Sequence, residues 1–197
     1  MLNELWQELI QYVEAGGFVM PPLFVATVVL WYAIGYRFVA TRRGTQRSVR
    51  VLLRRLDKGQ PPSGNGVIVR AARRAREVAQ RPRPHLRRHL DDALWTEAHD
   101  IKRFRTLITA IVVAAPLLGL LGTVTGMVET FDSLADMSLF AQSGGIAGGI
   151  SQALFTTQMG LAVAIPGVVV NGILNRREAQ IEVEIAQIKD ILIAESN

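Results

Sequence analysis

Four side chains carry polar chemistry at positions otherwise suited to lipid: Thr123 in the uncharged run 107–128, and Gln152, Thr156 and Thr157 in GGISQALFTTQMGLAVAIPG (Gly148 to Gly167). A hydroxyl both donates and accepts a hydrogen bond, and a carboxamide does the same with two separate atoms. Such groups can exchange hydrogen bonds but carry no charge of their own. A single membrane anchor has no use for them, nor for Pro116 and Pro166 nearby, whereas an assembled bundle with a working interior does. The rest of the catalytic catalogue is empty. The sequence contains no phosphate-cradling GxxxxGK[ST], no GxSxG elbow and no HExxH, and its three apolar spans hold no Asp, Glu or His. These absences argue against an enzyme. They also argue against a transporter working alone, which would place an ionisable group at mid-membrane.

The elements that position these residues follow from the separation of apolar and charged residues. Of 197 residues, 49% are hydrophobic and 20% charged, and the apolar ones gather into three blocks. That is the pattern of an all-α polytopic membrane protein. Residues 1–17 read as an amphipathic interfacial helix, with Leu2, Leu5, Trp6, Leu9, Ile10 and Val13 on one face. They lack the basic n-region of a signal peptide. Residues 18–40 form the first expected transmembrane helix. Pro21 and Pro22 stand in its first turn, where missing amide donors cost least, and Trp31, Tyr32, Tyr36 and Arg37 mark its far interface.

Residues 41–106 are expected to be a basic cytoplasmic helical region. Positions 41–105 carry 18 Lys and Arg against 6 Asp and Glu, a net of +12. By the positive-inside rule the amino terminus then lies outside the cytoplasm. GQPPSGNG (Gly59 to Gly66) and RPRP (Arg81 to Pro84) break this region into helical segments. No break signal appears between Asp91 and Ala115, so one uninterrupted helix is expected to enter the second span. The arginines lack the aromatic platforms or binding module of a nucleic-acid protein and are read as positive-inside residues that touch anionic lipid. His85 and His89 share a helix face. Arg87 and Arg88 between them and the missing carboxylate speak against a metal site.

Residues 107–130 form the second expected span, 131–144 an external loop, 145–175 a third span and 176–197 a cytoplasmic helical tail. A helix over 145–174 measures on the order of 45 Å, so it must tilt or project from the membrane. In the tail, Ile181, Ile185, Ile188 and Leu192 continue a heptad-like stripe. Thr109, Pro116, Thr123 and Thr130 recur every seven residues on the second span, with Gly119 and Gly126 between them. Gly149, Ala153, Thr157, Gly160, Ala164, Gly167 and Asn171 share a face of the third. Two readings stay open. Small residues such as the GxxxG pair Gly122 and Gly126 let helices approach closely, with threonines bonding back to their own helix; or the stripes line a narrow polar seam whose charge comes from another protein.

PLLGLLGTVTGMVETF followed by GGIAGGISQALFTTQMGLAVAIPG resembles the ExbB, TolQ and MotA proton-channel family, most of all its ExbB branch. The match runs over residues 114–171. The resemblance implies a ring of subunits, typically a pentamer, in the bacterial inner membrane, with the amino terminus periplasmic and the carboxyl terminus cytoplasmic. The ring would enclose an ExbD-like single-span partner whose membrane aspartate carries the proton. It would need no cofactor beyond the proton gradient, and a TonB-like protein would transmit the motion to outer-membrane receptors. The family's polar pore positions fall on Thr123 and Thr157. Where ExbB and TolQ commonly have glutamate in GIAEAL, this chain reads GISQAL, so Gln152 can bond but not titrate, and Thr156 would help keep the seam polar. A TolQ-like role in envelope maintenance and a MotA-like role in motility are the alternatives within the family, MotA being disfavoured by its four spans. A non-conducting membrane scaffold is the alternative outside it.

Overall fold

The computed structural model describes residues 16–45, 47–60, 64–80, 85–136 and 144–196. Residues 1–15 of the expected interfacial helix, the RPRP break and residues 137–143 of the expected loop lie outside the described residues. All described elements are helices. After a 3-10 turn at Gly17–Val19 come α1 (Met20–Ala40), α2 (Val49–Asp57), α3 (Val67–Ala79), α4 (Leu86–Asp100), α5 (Arg105–Asp136) and α6 (Gly144–Ser196). Three helical stretches are long and apolar enough to cross a membrane. Each includes one of the three apolar blocks of the sequence.

The chain divides into two compact units. One takes its described residues from Met1–Ala33 and Thr106–Val170, the other from Ile34–Arg105 and Asn171–Asn197. In the first, Leu23, Leu30 and Ala33 of α1, Ile108, Val112 and Ala115 of α5, and Ala153, Val163 and Ala164 of α6 are buried. Large apolar side chains such as Leu117, Leu121, Val124, Leu154, Leu161 and Ile165 are exposed along the same helices. So much open apolar surface on a folded unit marks a lipid or subunit contact.

In the second unit a conventional core forms. Leu52 and Leu53 of α2, Ile68, Ala71, Ala72 and Ala75 of α3, Leu90 and Leu94 of α4, and Ile181, Ile185, Ile188 and Leu192 of α6 make one cluster. Most charges of these amphipathic helices face outward, whereas Glu97 of α4 and Glu178 of α6 are buried. Gly44 (φ +78°) and Gly66 permit a close crossing, since a Cβ on Gly66 would lie 2.2 Å from the Arg43 backbone. The Val67 amide donates to the Arg42 carbonyl at 2.9 Å there. The end of α1 is thereby tied to the start of α3.

The uninterrupted helix expected across Asp91–Ala115 is not formed. It breaks at residues 101–104, where the amides of Lys102, Arg103 and Arg105 donate to the carbonyls of His99, Asp100 and Lys102 at 3.0, 3.3 and 3.1 Å. Phe104 adopts φ +64°. That conformation costs a bulky L residue on the order of 1–2 kcal/mol. The Phe104 ring stands edge-on to Tyr36 at 5.2 Å, and the Arg103 guanidinium lies 5.4 Å from the Tyr36 ring and 5.2 Å from the Phe104 ring. Contacts of these kinds contribute roughly 0.5–1 kcal/mol each, enough to offset the turn. Downstream, α5 continues through its expected end at residue 130 to Asp136. In α6, 53 residues run unbroken past Arg176 into the tail.

Candidate functional site

The small residues of α5 and α6 build the contact on which the polar side chains sit. A Cβ at Gly122 would fall 2.3 Å from the Thr156 hydroxyl, one at Gly126 would fall 2.6 Å from the Gly149 carbonyl, and one at Gly160 would fall 2.7 Å from the Ala115 carbonyl. At Gly119 the nearest atom would be the Thr156 carbonyl at 3.0 Å. Only glycine allows backbones this close. Gly167 likewise meets Val112 of α5 and Leu30 of α1. Pro116 and Pro166 are half-buried inside α5 and α6, which continue through both.

The threonines fall into different surroundings on this seam. Thr156 is fully buried, and its hydroxyl lies 3.4, 3.1 and 3.0 Å from the carbonyls of Gly119, Gln152 and Ala153. Thr157 is half-buried and donates toward the Gly119 and Ala153 carbonyls, each at 3.3 Å. Thr123, also half-buried, donates to the Leu120 carbonyl at 2.6 Å. Each hydroxyl is directed at backbone carbonyls, and at the half-buried Thr123 and Thr157 this leaves the oxygen lone pairs as the free hydrogen-bonding function. Thr123 and Thr157 therefore present acceptors, suited to a protonated carboxylic acid. Either hydroxyl must rotate to donate to an ionised one.

Gln152 is half-buried, and its amide nitrogen lies 3.4 Å from a carboxylate oxygen of Glu129 on α5. The sequence shows glutamate missing from the GISQAL motif. Glu129 of α5 sets a carboxylate beside Gln152 from a different helix. Its sequence signal is a charge-free span ending on Glu129, visible only as a boundary until the register of α5 against α6 is known. Gly17, at φ +60°, closes over the same amide, and a Cβ there would overlap Gln152 at 2.0 Å.

A second polar cluster, in the other unit, has no counterpart in the sequence reading. Arg37 is completely buried. Its guanidinium donates to Asn171 at 3.0 Å, to Asn175 at 2.9 Å and to the Glu178 carboxylate, while Arg105 donates to the other Glu178 oxygen at 3.1 Å. Asn171, Asn175 and Glu178 stand at i, i+4 and i+7 on one face of α6, so one helix presents all three acceptors. The Arg37 Nε finds no acceptor among the described residues. A buried arginine with one unfilled donor is costly, and it persists only because the carboxylate and two amides hold the remaining N–H groups. Among the described residues no group of three or more His, Asp or Glu is arranged to hold a metal ion.

The sequence model of the MotA/TolQ/ExbB proton channel family matches residues 62–187. The chain is 46% identical over 77 residues to a putative biopolymer transport protein ExbB-like 3 of Synechocystis, covering 39% of this chain and 37% of that one. It is 39% identical over 75 residues to the biopolymer transport protein exbB1 of Vibrio cholerae, covering 38% and 33%. Against a putative biopolymer transport protein ExbB-like 2 of Helicobacter pylori, identity is 42% over 72 residues, covering 36% and 47%. The matched stretch thus spans between a third and a half of each of these relatives.

Proposed function

This chain belongs to the MotA/TolQ/ExbB proton channel family, and we propose that it is an ExbB-like, multi-pass subunit of a proton-driven motor in the bacterial inner membrane. The observation that carries the reading is the seam between α5 and α6. It offers hydroxyl oxygens at Thr123 and Thr157 within the uncharged runs 107–128 and 145–175.

A wall of this kind can solvate a proton carrier but cannot be one, so the carrier comes from a partner. We assign that role to an ExbD-like single-span protein with a membrane carboxyl group, enclosed by a ring of copies of this chain, most simply a pentamer. When the carboxyl group is protonated it donates to the Thr lone pairs. When it ionises, rotation of a hydroxyl turns acceptor into donor without introducing a fixed charge that would trap the proton. Glu129, beside Gln152, supplies a carboxylate at the end of the path where the family motif would have placed its own. Thr156 supports this wall from behind, in the helix contact. Motion of partner against ring would be passed to a TonB-like transducer, and the names of the ExbB relatives favour that output over a Tol or flagellar one.

Co-purification with an ExbD-like single-span protein, followed by mass determination of the complex, tests the assignment. A defined ring holding the partner supports it. A chain that purifies alone as a monomer or dimer, with no single-span companion, removes its basis.

A further inference from the structure

Directly after the last residue of α1, a cavity of about 410 Å³ opens between Thr41, Arg42 and Arg43 on one side and Arg177, Gln180 and Glu184 of α6 on the other. Its size falls in the range of small-ligand sites. Three guanidiniums face one carboxylate. Arg43 neutralises that carboxylate, with its Nε 2.8 Å from Glu184, and is further held by donating to the Arg47 carbonyl at 3.0 Å. Arg42 and Arg177 differ. Both lie against the Phe38 ring, at 5.7 and 5.1 Å from its centroid, and neither forms an ion pair with any described residue. Two cations fixed by one ring repel each other, and an anion bound between them relieves that repulsion.

We propose that this cavity is a binding site for the phosphate of an anionic phospholipid headgroup, clasped by Arg42 and Arg177 with Phe38 as their platform. Guanidinium groups match phosphate oxygens with paired N–H donors. The cavity residues follow immediately on the apolar run of α1, and Arg177 follows that of α6 by two residues beyond Asn175. Both therefore stand at the level where a spanning helix leaves the hydrocarbon for the headgroups. The exposed ring of Phe38 and its neighbour Val39 offer apolar surface for the first carbons of the acyl chains. The inference rests only on the helices crossing a membrane. Proton flux reads out the motor assignment separately, so either can fail without the other.

The test uses the full chain in its purified complex, exchanged into nanodiscs of phosphatidylcholine containing a minor fraction of phosphatidylglycerol. The complex is then re-extracted, and the retained lipid is counted by native mass spectrometry. At roughly five-fold per arginine near a membrane surface, phosphatidylglycerol should be enriched about thirty-fold over its bulk ratio. Arg42→Gln/Arg177→Gln should return retention to the bulk ratio, while Arg73→Gln/Arg87→Gln, on exposed helix faces, should leave the enrichment intact. Phe38→Leu keeps every charge and frees both guanidiniums, so it should lower the enrichment by at least half and decides the matter if the double variant fails to assemble. Excess inorganic phosphate should not displace the lipid. The proposal is overturned by equal enrichment in the Arg42/Arg177 variant, by unchanged enrichment in Phe38→Leu, by no enrichment in the wild type, or by displacement with inorganic phosphate, which would mark a soluble-phosphate site.

Discussion

Arg37 and Glu178, 141 residues apart in the chain, share a charge-assisted hydrogen bond in which neither side chain is open to solvent. Desolvating two ions offsets most of their attraction, so the pair adds little net stability over an apolar substitute, yet removing one partner strands the other. Arg37→Met should therefore destabilise the fold by about 3 kcal/mol, and Glu178→Met by a similar amount. The double variant should recover most of the loss. Thermal unfolding of the detergent-solubilised protein provides the check; additive losses in the double variant would show that the two side chains act independently.

Sequence alone made Arg37 an interface marker, because an arginine at the end of an apolar run satisfies the positive-inside rule without any partner. Of its acceptors, sequence reading placed only Asn171 on a helix face, and Asn175 and Glu178 went unread because nothing local says that a buried arginine lies against them. The Ile101–Phe104 turn was hidden for a similar reason. It contains neither Gly nor Pro, and its left-handed Phe104 is stabilised by Tyr36, a residue 68 positions earlier. By contrast, the three apolar blocks, the basic segment and the heptad stripe of the tail were legible. Each is a property of consecutive residues and a fixed helical period.

The glycine seam gives a graded expectation. Gly122→Ala forces a methyl group to within 2.3 Å of the Thr156 hydroxyl and 2.4 Å of its Cβ, which should cost about 1–3 kcal/mol and weaken assembly. Gly172→Ala on the same helix as Thr156 meets nothing within 4 Å and should stabilise by roughly 0.5–1 kcal/mol through helix propensity. Melting temperatures of the two single variants separate close packing from a general dislike of alanine. Equal shifts would remove the seam as the explanation.

Glu129 and Gln152 set up an exchange experiment. If the carboxylate of Glu129 serves where the family motif would carry one, Glu129→Gln should slow energised transport at least ten-fold. Glu129→Gln combined with Gln152→Glu moves the charge to the motif position and should restore most of it. Uptake assays in cells lacking the native protein give the comparison. Full activity in Glu129→Gln alone would limit that residue to the membrane boundary.

The central claim is that this chain is a hydroxyl-lined wall for a proton carrier supplied by its partner, and proton flux in vesicles tests it most directly. Vesicles holding the chain with its single-span partner should acidify under an imposed potential, and vesicles holding the chain alone should not. Thr123→Val with Thr157→Val preserves volume, removes both hydroxyls, and should abolish the flux while the complex still purifies intact; Thr157→Ser should retain it. Undiminished flux through the intact double-valine complex, or conduction by the chain without a partner, would contradict the account.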